Sequence, residues 1–438
     1  MAGSTTETSR DHPPGPDGSA AALRARLDRI AALDPVLRAF ATLRPPEQAA
    51  VGAEGPLAGL FFAVKDNFAV AGLPRRAASR LSDPAPMAED APLVARMRAS
   101  GAVLLGALAC WEFGTGNGGE FFDLPTPPAR NPWDPARATG GSSTGCGAAV
   151  AAGLVDIALG SDTTGSVRLP AGACGVVGLT PGEGVLPRDG VLPNCWSLDR
   201  PGLFTREAAL AARALDALAP GRAPVAPSLA QGAEGMRVGV LRDPGPGMPA
   251  PHPALAGAFE AALGVLAGLG ATLVEIAWPV PPAECFAATR IIGPAESAAI
   301  HEAELRERPD AMGLALRDKL LAGSLVRAVD YLAAQRLRAR VAAEMARMMA
   351  GLDAVATFGA LHLPPRLGVE PEMTAYTTDT LYTPFNLSGQ PALAQRIGFT
   401  AAGLPLHWQI AAARGAEASA LRLAAAFEAA TEHHRRMP

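Results

Sequence analysis

"GGSSTGCGAAVAAGLVDIALGSDTTGSVRLPAGACGVVGLTP", residues 140–181, is the stretch on which the fold is read. It opens on two glycines and two serines, passes through a run of small residues, and reaches the apolar stretch "LVDIALG". The order then repeats: a Gly and hydroxyl loop, "SDTTGSVRLPAG", and a second apolar stretch, "GVVGLTP". Loop, helix, strand, loop, helix, strand is the order of crossover units in an α/β sheet. Glycine at this density marks backbone that turns where a Cβ would clash, or that approaches something closely. A helix start offers unpaired N–H groups and a partial positive charge, which suit a phosphate or an oxyanion. A phosphate loop needs GxxxxGK[ST], or GxGxxG with a later acid, and neither pattern occurs. The loops therefore point to a reacting group of the protein itself.

Outward from this stretch the alternation continues. From about 55 to 205, runs such as "FFAVKDNFAV" and "GAVLLGALA" alternate with helical segments such as "APLVARMRASG". "MRVGVLRDPGP", "ATLVEIAW" and "LPLHWQIAA" add strands further on, and residues 285–350 read as Arg/Glu-decorated helices covering the core. This predicts an α/β fold: a mixed, mostly parallel central sheet with helices on both faces. One domain is expected over 1–438. It divides into an N-terminal arm and helix (1–54), a core (55–215), a variable substrate-covering region (220–370) and a C-terminal return (376–438). Residues 1–20 read as mobile, and a helix over 20–34 is expected to stop near Pro35.

Composition excludes several classes. The 438 residues are 49% hydrophobic and 18% charged, with net charge −4. That suits a large core and leaves no basic field for nucleic acid or anionic lipid. No uncharged apolar run reaches the ~18 residues of a membrane span. The polar, acid-bearing first residues read as neither signal nor transit peptide. Cys110, Cys146, Cys174, Cys195 and Cys285 form no CxxC pair, so free thiols and a cytoplasmic location are expected.

The basic residues are unusual: of the 38 Lys and Arg, only Lys65 and Lys319 are lysine. Lys319 sits in "LALRDKLLAG", where an exposed helical charge is expected. Lys65 lies in "GLFFAVKDNFAV", apolar on both faces, as a buried strand would be. A desolvated lysine can lose its proton, whereas arginine keeps its charge. Lys65 is then either a titrating base or a structural partner of Asp66 or another carboxylate. A serine nucleophile in the Gly-rich loops needs a base. None of the seven histidines (His12, His252, His301, His362, His407, His433 and His434) lies in a GxSxG-like context. Lys65 is the remaining candidate.

Three separated motifs, "GLFFAVKDNFAVAGLP", "ARNPWDPARATGGSSTGCGAAVAAGLVDIALGSDTTGSVRLPAGACGVVGLTP" and "GVLPNCWSLDRPG", resemble the amidase signature family in the family's own order. The likeness resumes in "YTPFNLSGQPAL" and "GFTAAGLPLHWQI" near the C-terminus. It implies hydrolysis of amides and related C–N acyl bonds by a Ser–cis-Ser–Lys triad, without metal or cofactor. By position, Lys65 is the base, Ser142 the bridging serine with a cis peptide, and Ser166, 24 residues on, the nucleophile. Gly140 and Gly141 would let the backbone crowd that turn. The N–H groups of Thr163, Thr164, Gly165 and Ser166 would surround the oxyanion. Asp162 and Arg168 would hold the loop as an ion pair, and Ser143 would hydrogen-bond within it.

This sequence departs from the family pattern at Thr164, where a Gly is usual, and at Gly182-Glu183-Gly184-Val185. The run "DAVATFGALHLPP" is also unlike its counterpart. These changes leave the triad intact and bear on the substrate. The apolar segments of 220–370, with no arginine visibly placed for a carboxylate, lead to small neutral amides, anilides or carbamates as the expected substrates of a free-standing, urethanase-like amidase. A homodimer is kept open as its assembly. Two other readings remain: the glutaminase subunit of a tRNA-dependent amidotransferase, and a non-catalytic binding protein on the same fold.

Overall fold

The computed structural model describes residues 19–49, 54–115 and 123–438. The arm expected to be mobile falls almost wholly outside them. Strands β1 (Phe40–Leu43), β2 (Phe61–Lys65), β3 (Val103–Leu108), β4 (Arg130–Asn131), β5 (Asp134–Ala138), β6 (Ile157–Asp162), β7 (Val177–Thr180), β8 (Arg200–Thr205), β9 (Arg237–Leu241), β10 (Thr272–Glu275), β11 (Ala354–Thr357), β12 (Ala392–Phe399) and β13 (Pro405–Ala411) are described. All but β4 and β5, which pair with each other, form one 11-stranded sheet in the order β1-β3-β2-β6-β8-β7-β12-β13-β11-β9-β10.

The sheet is mixed. Its parallel ladders form two blocks, β3-β2-β6 and β11-β9-β10. The ladders between the blocks are antiparallel. Strands that the sequence pattern does not single out, β8, β11 and β12, supply much of that antiparallel centre. β8 begins on an Arg-Pro-Gly, which reads locally as a turn, and only its pairing with β6 and β7 makes it a strand.

Helices α1 (Ala20–Leu37), α2 (Pro92–Ala99), α3 (Thr144–Ala151), α4 (Arg168–Cys174), α5 (Ala208–Leu218), α6 (Pro253–Gly268), α7 (Pro282–Ile300), α8 (Glu302–Glu307), α9 (Leu314–Ser324), α10 (Ala328–Met348), α11 (Glu370–Thr378), α12 (Thr383–Ser388) and α13 (Glu417–Ala429) complete the layers. α1 runs through Pro35 to Leu37 and ends at Arg38 in the left-handed conformation. α3 and α4, built largely from Gly, Ala and Cys, are buried along their whole length. Their small side chains let backbone pack close to backbone, which a helix of long residues could not do.

The two faces of the sheet carry separate cores, and the pleat assigns side chains between them. In β2, Phe62 and Val64 enter one core while Phe61 and Ala63 enter the other. In β6, Ile157 and Leu159 share the first core and Ala158 the second. In β8 the pair splits as Leu203 and Phe204. The second core holds the buried side chains of α3. α7, α9, α10 and α12 pack on one another, and a third core joins α7, α10 and α12 to Leu241, Val355, Ala392 and Ala411 of the sheet. α7, α9 and α10 are the helix-rich segment expected for 285–350.

Phe204 is fully buried in the strand that joins β6 to β7. Phe204→Ala should lower unfolding stability by about 3–5 kcal/mol, as large-to-small core changes do. Denaturant unfolding measures this, and a loss under about 1 kcal/mol would mean that the site's supporting sheet does not depend on β8.

Candidate active site

The pleat decides where Lys65 goes. It continues the Phe61–Ala63 series of β2, on the face where α3 lies. There it is fully buried, and its Nζ donates to Ser142 Oγ at 2.7 Å and to Ser161 Oγ at 2.9 Å. Ser161 also accepts from Asn67 Nδ2 at 3.1 Å. Asp66 instead accepts from the Arg76 N–H at 3.4 Å, so the partners of Lys65 are hydroxyls and not the neighbouring carboxylate. Burial pushes the Lys65 pKa down, and the carboxylates of Asp199 and Asp162 offset only part of that. The sequence reading misses Ser161 and Asn67. Ser161 carries a usable signal, because it lies in "GSDTTGS", five residues before Ser166.

Ser142 follows a cis Gly141–Ser142 peptide. A Cβ at Gly141 would sit 2.3 Å from the Trp111 indole, so only glycine permits this approach. The Ser143 N–H donates to the Ser166 carbonyl at 3.2 Å, and Ser143 Oγ to the Ser161 carbonyl at 3.3 Å. These bonds hold the first Gly/Ser loop against the second, with Ser166 half-buried at the start of α4.

Asp162 and Arg168 form the expected ion pair, both fully buried, with Nε to Oδ2 at 3.1 Å. Asp162 also accepts from Thr180 Oγ1 at 2.8 Å, Asn386 Nδ2 at 2.7 Å and the Gly165 N–H at 2.7 Å. Arg168 further donates to Gln409 Oε1 at 2.6 Å and to Asn386 Oδ1. Burial by itself would raise the Asp162 pKa. The charge and hydrogen bonds of Arg168, with Arg200 and Asn386, hold it well below the usual carboxylate range.

One expectation is corrected here. The Gly165 N–H points to Asp162 and is therefore not free for an oxyanion. Gly165 itself has φ +121° and a Cβ there would lie 2.7 Å from Tyr382, so the position requires glycine. Thr164 does not have positive φ. The backbone there accepts a side chain, which is why this chain can carry Thr where Gly is usual. A network then ties this loop to the covering helices. Thr163 Oγ1 donates to Asp199 Oδ1 at 2.6 Å, Asn194 Nδ2 to Thr163 Oγ1 at 3.1 Å, and Lys319 Nζ to Asn194 Oδ1 at 2.5 Å.

Lys319 is the second correction. It is not exposed: it falls in the buried stripe of α9 with Ala315, Leu316, Leu320 and Gly323. Burial lowers its pKa to about 8 against the opposing charge of Asp199, while Arg290 lowers it further. A cavity of about 180 Å³ is lined by Ser166, Thr163, Thr164, Trp111 and Tyr382, and also by Arg290 of α7 and Lys319. Two larger clefts, about 340 and 500 Å³, lie beside Arg188, Trp196 and Arg200 and do not include Ser166. The expected lining free of a suitable arginine is thus not found. Among the histidines, His407 pairs with Tyr382 Oη at 3.1 Å and burial lowers its pKa to about 4, while His362 pairs with Asp379 at 2.7 Å. Among the described residues no group of His, Cys, Asp and Glu is arranged to hold a metal ion, and no helix is long and apolar enough to cross a membrane.

A buried lysine on two serines, beside a loop of backbone donors at a helix start, belongs to an amide-hydrolysing enzyme. The chain is a member of the amidase signature family: the Amidase family model matches residues 21–421. It is 36% identical over 448 residues to one of the subunits of the Glutamyl-tRNA(Gln) amidotransferase of Thermus thermophilus, covering 93% of each chain. An inhibitor-bound complex described as revealing the evolutionary origins of an s-triazine catabolic enzyme superposes with TM-score 0.82 and 32% identity, over 93% of this chain and 94% of that one. A substrate complex of 6-aminohexanoate cyclic dimer hydrolase superposes with TM-score 0.84 and 29% identity, over 95% and 94%.

Removing one partner of a buried ion pair leaves the other charge uncompensated, at a cost of about 3–5 kcal/mol. Arg168→Met should therefore destabilise the protein by roughly that amount at neutral pH. The Asp162 pKa is depressed by folding, so its contribution is present above the unfolded carboxylate value near ~4 and lost as pH falls through the folded value. The gap between native and variant should narrow on acidification, measured by denaturant unfolding across pH. A gap independent of pH would contradict the pairing.

Proposed function

We propose that this chain hydrolyses a small-molecule amide through an acyl-enzyme on Ser166, with Ser142 and Lys65 as its proton relay. The observation that carries this reading is the Lys65–Ser142 hydrogen bond at 2.7 Å in a site where burial disfavours the ammonium. Neutral Lys65 takes the Ser142 proton while Ser142 takes the Ser166 proton, and Ser166 Oγ bonds to the carbonyl carbon. The N–H groups of Thr163, Thr164 and Ser166 face the developing oxyanion, Gly165 being committed to Asp162. The C–N bond breaks as the proton returns through Ser142 to the leaving nitrogen. Water, deprotonated through the same relay, then cleaves the ester and restores Ser166.

A second reading is favoured by the curated relatives: that the chain acts as the glutaminase subunit of a tRNA-dependent amidotransferase, with protein partners. Ammonia release from glutamine and from simple amides by the purified chain separates the two. Turnover of simple amides by the chain alone supports a free-standing enzyme, and glutamine turnover that emerges only on adding partner proteins supports the other.

Ser166→Ala should remain folded and lose turnover, with a serine-directed acylating reagent labelling Ser166 in the native chain; substantial residual activity would sink the assignment. Lys65→Arg should also fold but be nearly inactive near neutral pH, because arginine stays protonated. Native activity should rise with pH as Lys65 loses its proton and fall on acidification. A pH–rate profile flat across the acid side, or an active Lys65→Arg, would require another base.

A further inference from the structure

The cavity over Ser166 is lopsided in charge. Arg290 and Lys319 line it, and among the described residues no Asp or Glu does. Lys319 is buried against two neutral acceptors, Asn194 Oδ1 at 2.5 Å and Thr115 Oγ1 at 3.3 Å. The nearby carboxylate, Asp199, is taken by the Thr163 hydroxyl and the N–H groups of Asn194 and Cys195. Asp379 lies between two lining threonines, Thr378 and Thr380, but its carboxylate is engaged by His362 at 2.7 Å. Arg290 reaches the cavity from an exposed position of α7, and its guanidinium forms no ion pair among the described residues. Two cations sharing one small cavity repel each other, and among the described residues the Lys319 ammonium hydrogen-bonds to no carboxylate. A substrate anion relieves both at once, and arginine's planar fork suits a carboxylate. A substrate ammonium would meet only repulsion.

Resting on the acyl-enzyme reading above, we propose that the substrate is a small amide that bears a carboxylate and no ammonium, with Arg290 and Lys319 receiving the carboxylate while Ser166 attacks the amide carbon. The cavity, about 180 Å³, is below the roughly 300–1,000 Å³ of pockets for drug-sized ligands, which keeps the substrate small. The side chains of Trp111, Leu169, Phe286 and Tyr382 supply apolar walls to the cavity. The Thr side chains of the lining add hydroxyls able to serve either end of such a molecule.

The test compares three amides by ammonia release: succinamate, which is anionic; butanamide, which lacks the carboxylate; and glutamine, which adds an ammonium-bearing carbon beside the carboxylate. Succinamate should exceed both others by roughly tenfold or more in kcat/KM, the worth of a charge-assisted hydrogen bond. Arg290→Gln should raise KM for succinamate and shrink the succinamate-to-butanamide ratio by a similar factor. A second readout needs no turnover: succinate should protect Ser166 from a neutral acylating reagent in the native chain, and much less in Arg290→Gln. Butanamide matching succinamate, glutamine outrunning it, or succinate giving no protection would each overturn the proposal. Failure of the acyl-enzyme reading looks different, since Ser166→Ala would then keep its turnover of whichever amide is used.

Discussion

Asp162 is the group on which the site's geometry depends. A carboxylate with no exposure has to be met on every side, and here it is: by Arg168 from α4, by Thr180 from β7, by Asn386 from α12, and by the Gly165 and Val167 N–H groups of its own loop. Those donors come from three separate parts of the chain, residues 165–168, β7 and α12. Satisfying one buried charge therefore fixes the end of β6, the start of α4 and the C-terminal return relative to one another. Ser166 and the backbone donors before it sit inside that loop, so their positions are inherited from the carboxylate. Arg168 is suited to the task because its guanidinium stays charged when buried and reaches Asp162, Gln409 and Asn386 together.

Lys65, at the end of the adjoining strand β2, meets the opposite environment. Among the described residues no carboxylate bonds to it, only two hydroxyls, and burial favours its neutral form. One buried cation is paired with a carboxylate, and the other hydrogen-bonds to hydroxyls. Both groups are fully buried, but a guanidinium keeps its charge in such a place and an amine can lose it.

The covering layer is coupled to the same loop. From Lys319 on α9, hydrogen bonds pass through Asn194 to Thr163 and on to Asp199. Whatever binds Lys319 therefore touches, through one asparagine, the loop that holds Ser166. The sheet beneath supplies rigidity and the helices above supply charge.

The mixed α/β sheet, the strand nature of β2 and the pairing of two Gly/Ser loops were legible in residues 140–181 and around Lys65. Their signals are local: continuous apolar runs for buried strands, Gly and hydroxyl residues where backbone turns tightly. The Asp162–Arg168 pair was legible for the same reason, since six residues separate them across one loop and helix start. What sequence could not supply was anything set by long-range pairing. β8 looks like a turn until β6 and β7 flank it, and Lys319 looks like a surface charge until α9 is docked by its buried stripe. Arg290 sits in no motif at all, and only the meeting of α7, α9 and the Ser166 loop around one cavity gives it a role. The tight Gly-rich turns and the Asp162–Arg168 pair were legible in the sequence because they depend on neighbours a few residues away. The charge lining the cavity was decided by tertiary structure, because Arg290 and Lys319 lie far along the chain from Ser166 and share no pattern with it.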